Sequence, residues 1–177
     1  MAVPVVVIVA FALGRDADDP HPAAKSSGPL PPITVSAPPV NATADAPCAQ
    51  VLSALPIQLG QLAPRVVHAQ PDSPNVVAWG DPAVVLRCGV GRPADFVPTS
   101  DVYNVGTVYW LAVKQKSATV WTAVDRSVYV EVTVPQKQAF QPLPLLGQAI
   151  AKKLKPICAV PEDNSNPPQD QLCVNRK

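Results

Sequence analysis

The sequence predicts an α+β domain: an antiparallel sheet of four to five strands, with an N-terminal and a C-terminal helix packed on one face. Two observations carry this. Val128, Val130, Val132 and Val134 alternate with Tyr129, Glu131 and Thr133, the period-two pattern of a strand with one face buried and one wet. Helix-like apolar stripes stand before and after the strand candidates rather than between them. Grouped strands with flanking helices fit α+β better than an alternating parallel architecture.

In chain order the folded part opens at Asp45-Ala46-Pro47-Cys48. Asp is a good N-cap and Pro is favoured in a first turn, so a helix is expected to start there. Cys48, Val51, Leu52 and Leu55 share its apolar face, and Pro56 bends or ends it. A loop with Gly60 and Pro64 leads to a short strand candidate, Arg65–Ala69. Better candidates follow: Val76–Trp79, the turn Gly80-Asp81-Pro82 and Ala83–Val90, then Thr107–Lys114, Gln115-Lys116 and Ala118–Val124. Asp125-Arg126-Ser127 is short enough to close a hairpin to the valine-alternating strand, and Pro135 ends the sheet. Leu143, Leu146, Ile150 and Leu154 mark the second helix. Lys152, Lys153 and Lys155 stand at its C-terminal end, where the dipole favours cations.

The flanks have a different character. Residues 1–14 are expected to be an export or membrane-anchor segment, because Ala2 to Gly14 is apolar and uncharged. About 13 helical residues span roughly 20 Å, short of the ~30 Å hydrocarbon core, so the run resembles a signal-peptide core more than a complete span. No Lys or Arg precedes it, and a start further upstream that adds basic residues is expected; the alternative is a buried strand. Residues 15–44 read as an extended Pro-rich linker, in a chain whose 23 prolines far exceed the usual share of about 5%. Asn41-Ala42-Thr43 matches a glycosylation sequon, which the bacterial, GC-rich look of the composition discounts. Residues 45–160 are then the α+β domain, and residues 161–177 a polar tail tied by a disulfide.

Four cysteines behind an export-like segment favour disulfides over free thiols. Cys158 and Cys173 bracket a polar, Pro-rich stretch with nothing else to fold it, which favours their pairing; Cys48 then pairs with Cys88. Both of the latter fall on apolar faces, Cys48 with Val51 and Leu52, Cys88 with Val84, Leu86 and Val90. The long loop contributes ~4 kcal/mol and the short one ~3 kcal/mol on a chain-entropy model. Buried unpaired thiols in a cytosolic protein are the alternative. A C-x-x-C is lacking and the histidines are His21 and His68 alone, so no metal site is expected.

Charged residues make up 15% of the chain and its formal net charge is +1, too little field to gather nucleic acid. No nucleophile elbow, phosphate loop or zinc-protease helix occurs, and no cofactor is expected. His68, Asp81 and Glu131 are the residues an unrecognised acid/base site would use. The aromatic residues are more informative. Trp79 precedes a turn, Tyr109 and Trp110 are strand neighbours that point to opposite faces, and Trp121 lies on the next strand. Trp79, Asp81, Tyr109, Trp110 and Trp121 form the candidate binding surface, with packing beneath the Pro-rich segments as the plainer reading.

The stretch Ala78-Trp79-Gly80-Asp81-Pro82 through Leu86-Arg87-Cys88-Gly89-Val90 resembles an actinobacterial family, catalogued as domain of unknown function three-five-one-five. Cys48-Ala49-Gln50-Val51-Leu52 with Leu55-Pro56, and Tyr129-Val130-Glu131-Val132 with Val134-Pro135, share the resemblance, which covers about Cys48 to Ala151. The resemblance implies an exported or membrane-anchored envelope protein and brings no activity and no catalytic residues. The first cysteine pair fits the shared segments. The expected function is therefore a cell-envelope accessory or binding protein. Its expected partners are the membrane, through the N-terminal segment, and another envelope protein; an extracytoplasmic enzyme is the alternative.

Overall fold

A computed structural model describes residues 28–97, 99–138 and 141–157. The segment 1–14, the tail 161–177 and the Cys158–Cys173 pair lie outside the described residues. The first element, strand β1 (Ile33–Ser36), falls inside the stretch read as linker. Helix α1 (Ala42–Ala54) follows. Its N-cap is Asn41 rather than Asp45: the Asn41 side chain accepts the Thr43 N–H at 3.1 Å, while Asp45 accepts an amide hydrogen from Asn75 at 3.3 Å. Pro47 therefore stands inside the helix, and the N–H it lacks leaves the carbonyl of exposed Thr43 to solvent.

The remaining elements are β2 (Pro64–Arg65), β3 (Val67–Gln70), β4 (Val76–Trp79), β5 (Val84–Val90) and β6 (Val102–Val105). Then come β7 (Val108–Lys114), β8 (Ala118–Ala123), β9 (Tyr129–Pro135) and α2 (Leu143–Lys153). Seven strands form one antiparallel sheet in the order β2-β4-β5-β9-β8-β7-β6, and β1 pairs with β3 in a separate two-stranded parallel sheet. The expected four to five strands undercount this. Strand β6 escapes the sequence pattern because it is a short outer strand with exposed Tyr103 and Asn104. Strand β1 alternates between half-buried and exposed without a fully buried position, so periodicity had little to register, and the one candidate Arg65–Ala69 spans β2 and β3, which join different sheets.

The α+β class and the placement of both helices stand. Their residues join one face of the large sheet in the main core: Cys48, Val51, Leu143, Leu146 and Ile150 meet Leu86, Cys88, Trp110, Val130 and Val132. Cys48 and Cys88 are bonded, with a Cα–Cα distance of 5.6 Å and both side chains fully buried. Strand β5 shifts register against β9 between Cys88 and Val90, and Gly89 makes the shift possible. Its φ is +84°, and a Cβ there would stand 3.2 Å from the Ala44 Cβ and 3.5 Å from the Cys48 sulfur. Helix α1 thus lies on a point where the strand has no side chain.

The opposite sheet face is not uniformly wet. Phe96, on the loop after β5, joins Leu111 and Val124 in a second, smaller cluster, with Tyr109, Val113 and Tyr129 packed around it. Arg92 lies over the Phe96 ring, its guanidinium carbon 4.7 Å from the centroid.

Replacing both Cys48 and Cys88 by Ala lowers unfolding free energy by about 3–4 kcal/mol in urea titrations of the full chain, through the loop released in the unfolded state. Gly89→Ala costs about 1–2 kcal/mol in the same assay, because L-residues are strained at positive φ and the new methyl meets α1.

Candidate functional site

The sequence-selected aromatics separate into three environments. Trp110 is fully buried under α2, with Gly147 giving the helix room to approach: a Cβ there would be 3.7 Å from the indole ring. Its Nε1–H has no hydrogen-bond partner among the described residues. Trp79 is 3% exposed, and its Nε1–H reaches the carbonyls of Ile57 at 3.0 Å and Pro56 at 3.3 Å, tying the chain after α1 to the sheet. Trp121 is half-buried against the main core and meets the Tyr103 ring edge-on, with centroids 5.6 Å apart and an interplanar angle of 73°. Tyr103 itself is 46% exposed, so the aromatic surface open to solvent centres on Tyr103 and Trp121. Tyr109 is on the other face, in the Phe96 cluster. Tyr109 and Trp110 thus point to opposite faces, each covered locally.

The candidate acid/base residues do not converge. Asp81 pairs with Arg65 at 2.9 Å, Glu131 pairs with Arg87 at 2.6 Å, and His68 is an exposed residue of β3, in register with Thr34. Each carboxylate has its own guanidinium on a neighbouring strand. Arg65 also donates to the carbonyls of Pro31 and Gly80, and Arg87 to that of Ser36, so both arginines connect the main sheet to the N-terminal segment. Among the described residues no group of three His, Cys, Asp or Glu side chains is placed to hold a metal ion. No helix among them is long and apolar enough to cross a membrane.

Two features were missed by sequence reasoning. The turn Asp125-Arg126-Ser127 closes the β8–β9 hairpin as expected, but its charged residues are buried, Asp125 fully and Arg126 to 4% exposure. Asp125 accepts the backbone N–H of Tyr109 at 3.1 Å, and Arg126 donates to the Thr107 carbonyl. The same turn binds the chain after α2, through Ser127 N–H to Lys155 and Ile157 N–H to the Asp125 carbonyl, both at 2.9 Å. An Asp-Arg-Ser sequence reads as a solvated turn; here the start of β7 on one side and the segment after α2 on the other engage it. The second feature is a recess of about 220 Å³ on the sheet face away from the helices, lined by Glu131, Thr122, Val113, Val120, Gln115 and Asp95. Glu131 and Thr122 are cross-strand partners, so β8 and β9 present both to it.

Together these define an α+β domain with one face closed by two helices and a cystine, and a small polar recess on the other. The chain belongs to the family described as protein of unknown function DUF3515, whose model matches residues 1–157. No curated protein and no solved structure matches it.

Trp79→Phe removes the donor to Pro56 and Ile57 and leaves part of the indole's buried space unfilled, and is expected to cost about 2–3 kcal/mol in chemical denaturation. Asp81→Asn is expected to cost under about 1 kcal/mol, because the Asp81 side chain is 63% exposed and Arg65 keeps its two carbonyl acceptors.

Proposed function

We propose that this protein works outside the cytoplasm as a non-enzymatic accessory or binding module of the cell envelope, exported or held at the membrane by its N-terminal segment. The buried Cys48–Cys88 disulfide carries this reading. Such bonds form and persist in oxidising compartments and are rare where thiols are kept reduced. The apolar run Ala2 to Gly14 and the Pro-rich residues behind it support the same compartment, as a leader followed by a spacer. A binding role is favoured over catalysis because Asp81 and Glu131 each pair with a different arginine rather than with each other, and His68 stands apart from both on the outlying β1–β3 pair.

The test is to alkylate thiols in living cells that express the full chain, and then map modified cysteines by mass spectrometry. Cys48 and Cys88 are expected to resist labelling until a reductant is added after denaturation. Labelling of both without reductant places the protein in a reducing compartment and ends this proposal.

A further inference from the structure

The recess beside Glu131 holds acceptors that the fold itself leaves unused. Arg87 directs two donors at one carboxylate oxygen: Nε at 2.9 Å and Nη2 at 2.6 Å, both to Oε1 of Glu131. Oε2 accepts no hydrogen bond from the described residues. Opposite it on β8, Thr122 is only 4% exposed, and what it leaves accessible lines the recess. No hydrogen bond within the described residues engages its hydroxyl, which is therefore open to a partner in the recess. Asp95 adds an exposed carboxylate at the rim with no ion pair among the described residues. Val113 and Val120 supply an apolar wall between them.

Two carboxylates and a hydroxyl call for a cationic donor. A guanidinium is matched by both oxygens of one carboxylate, taken as a planar fork. Glu131 cannot offer that, because Arg87 already occupies Oε1. An ammonium is a point charge with three donors, and needs only single acceptors from several directions. The recess, at about 220 Å³, is smaller than the ~300–1,000 Å³ of pockets for drug-sized ligands, so its occupant is one slender group. We infer that this recess binds a protonated primary amine on a short aliphatic stem, with Glu131 Oε2 and Thr122 at its base and Asp95 at its mouth. The inference deepens the binding-module reading and rests on it.

The experiment is a nitrogen-15 NMR titration of the full chain with n-butylammonium chloride. Sodium chloride, n-butanol and n-butylguanidinium serve as controls. Saturable shifts confined to the amides around Thr122, Glu131 and Asp95 are expected with the amine, and at least severalfold weaker binding with the guanidinium. Glu131→Gln is expected to weaken binding about tenfold and Asp95→Asn about threefold, in keeping with charge-assisted hydrogen bonds at a half-buried and an exposed position. Because Glu131→Gln also releases Arg87, Asp95→Asn and Thr122→Val keep the test independent of that ion pair. Shifts that never saturate, an equal response to butanol, or binding undiminished in all three variants overturn the assignment. An Nα-acetyl-lysine amide arm separates the sources: tighter binding than butylammonium assigns the lysine of a protein partner, and equal binding assigns a free amine. Amine binding that fails while Cys48 and Cys88 are oxidised in cells removes the recess assignment alone; free thiols in cells remove the module reading.

Discussion

The fold depends on how closely α1 approaches β5. The helix is a weak partner by composition: only Ala44, Cys48 and Val51 of its residues are buried. Burying a valine side chain contributes roughly 1.5–3 kcal/mol, too little to position a 13-residue helix whose prolyl residue also removes an internal hydrogen bond. The Cys48–Cys88 bond supplies what the packing lacks, and Gly89 removes the side chain that would hold the helix off. Helix α2 then packs against both α1 and the β6–β7 part of the sheet. One covalent contact and one missing Cβ therefore set the position of the whole helical layer.

Polar interactions divide between two tasks. On the outer face, Arg65 and Arg87 bind carbonyls of the N-terminal segment as well as carboxylates, so they attach β1 to a sheet with which it shares no ladder. At the far end, the buried Asp125-Arg126 turn receives the strand leaving α2 through the Arg126–Pro156 bridge. Buried charges are tolerated when paired and hydrogen-bonded, and here they join three chain segments beside the apolar contacts of Val108, Val124 and Leu154.

Legibility in the sequence followed burial. Strand β9, with its valines at 0–8% exposure, and α2, with Leu146 and Ile150 fully buried, were readable within a residue or two. Cys48 and Cys88 were readable as partners because each fell on an apolar face. Strands β1 and β6 were not, since their residues are selected by edge pairing rather than by a core, while β3 was anticipated by the Arg65–Ala69 candidate. The start of α1 was misread because two good capping residues stand a turn apart, and Asp45 is engaged by Asn75 instead. The recess was invisible for a different reason: Glu131, Thr122 and Asp95 come from separate parts of the chain, and only the register of β8 on β9 brings the first two side by side.

The order of strands has a consequence for assembly. Strand β5 neighbours β4 in sequence but also pairs with β9, the last strand made. A chain emerging from its N-terminus exposes α1, β4 and β5 well before β9 and α2 can cover them. Both sulfurs of the cystine belong to that early half. Oxidation can therefore lock an incomplete unit whose Leu86 side of the sheet still faces water, and such surface is what promotes aggregation during folding. In this topology both cysteines precede β9 and α2 in the chain, so the covalent link joins segments whose covering elements are made later.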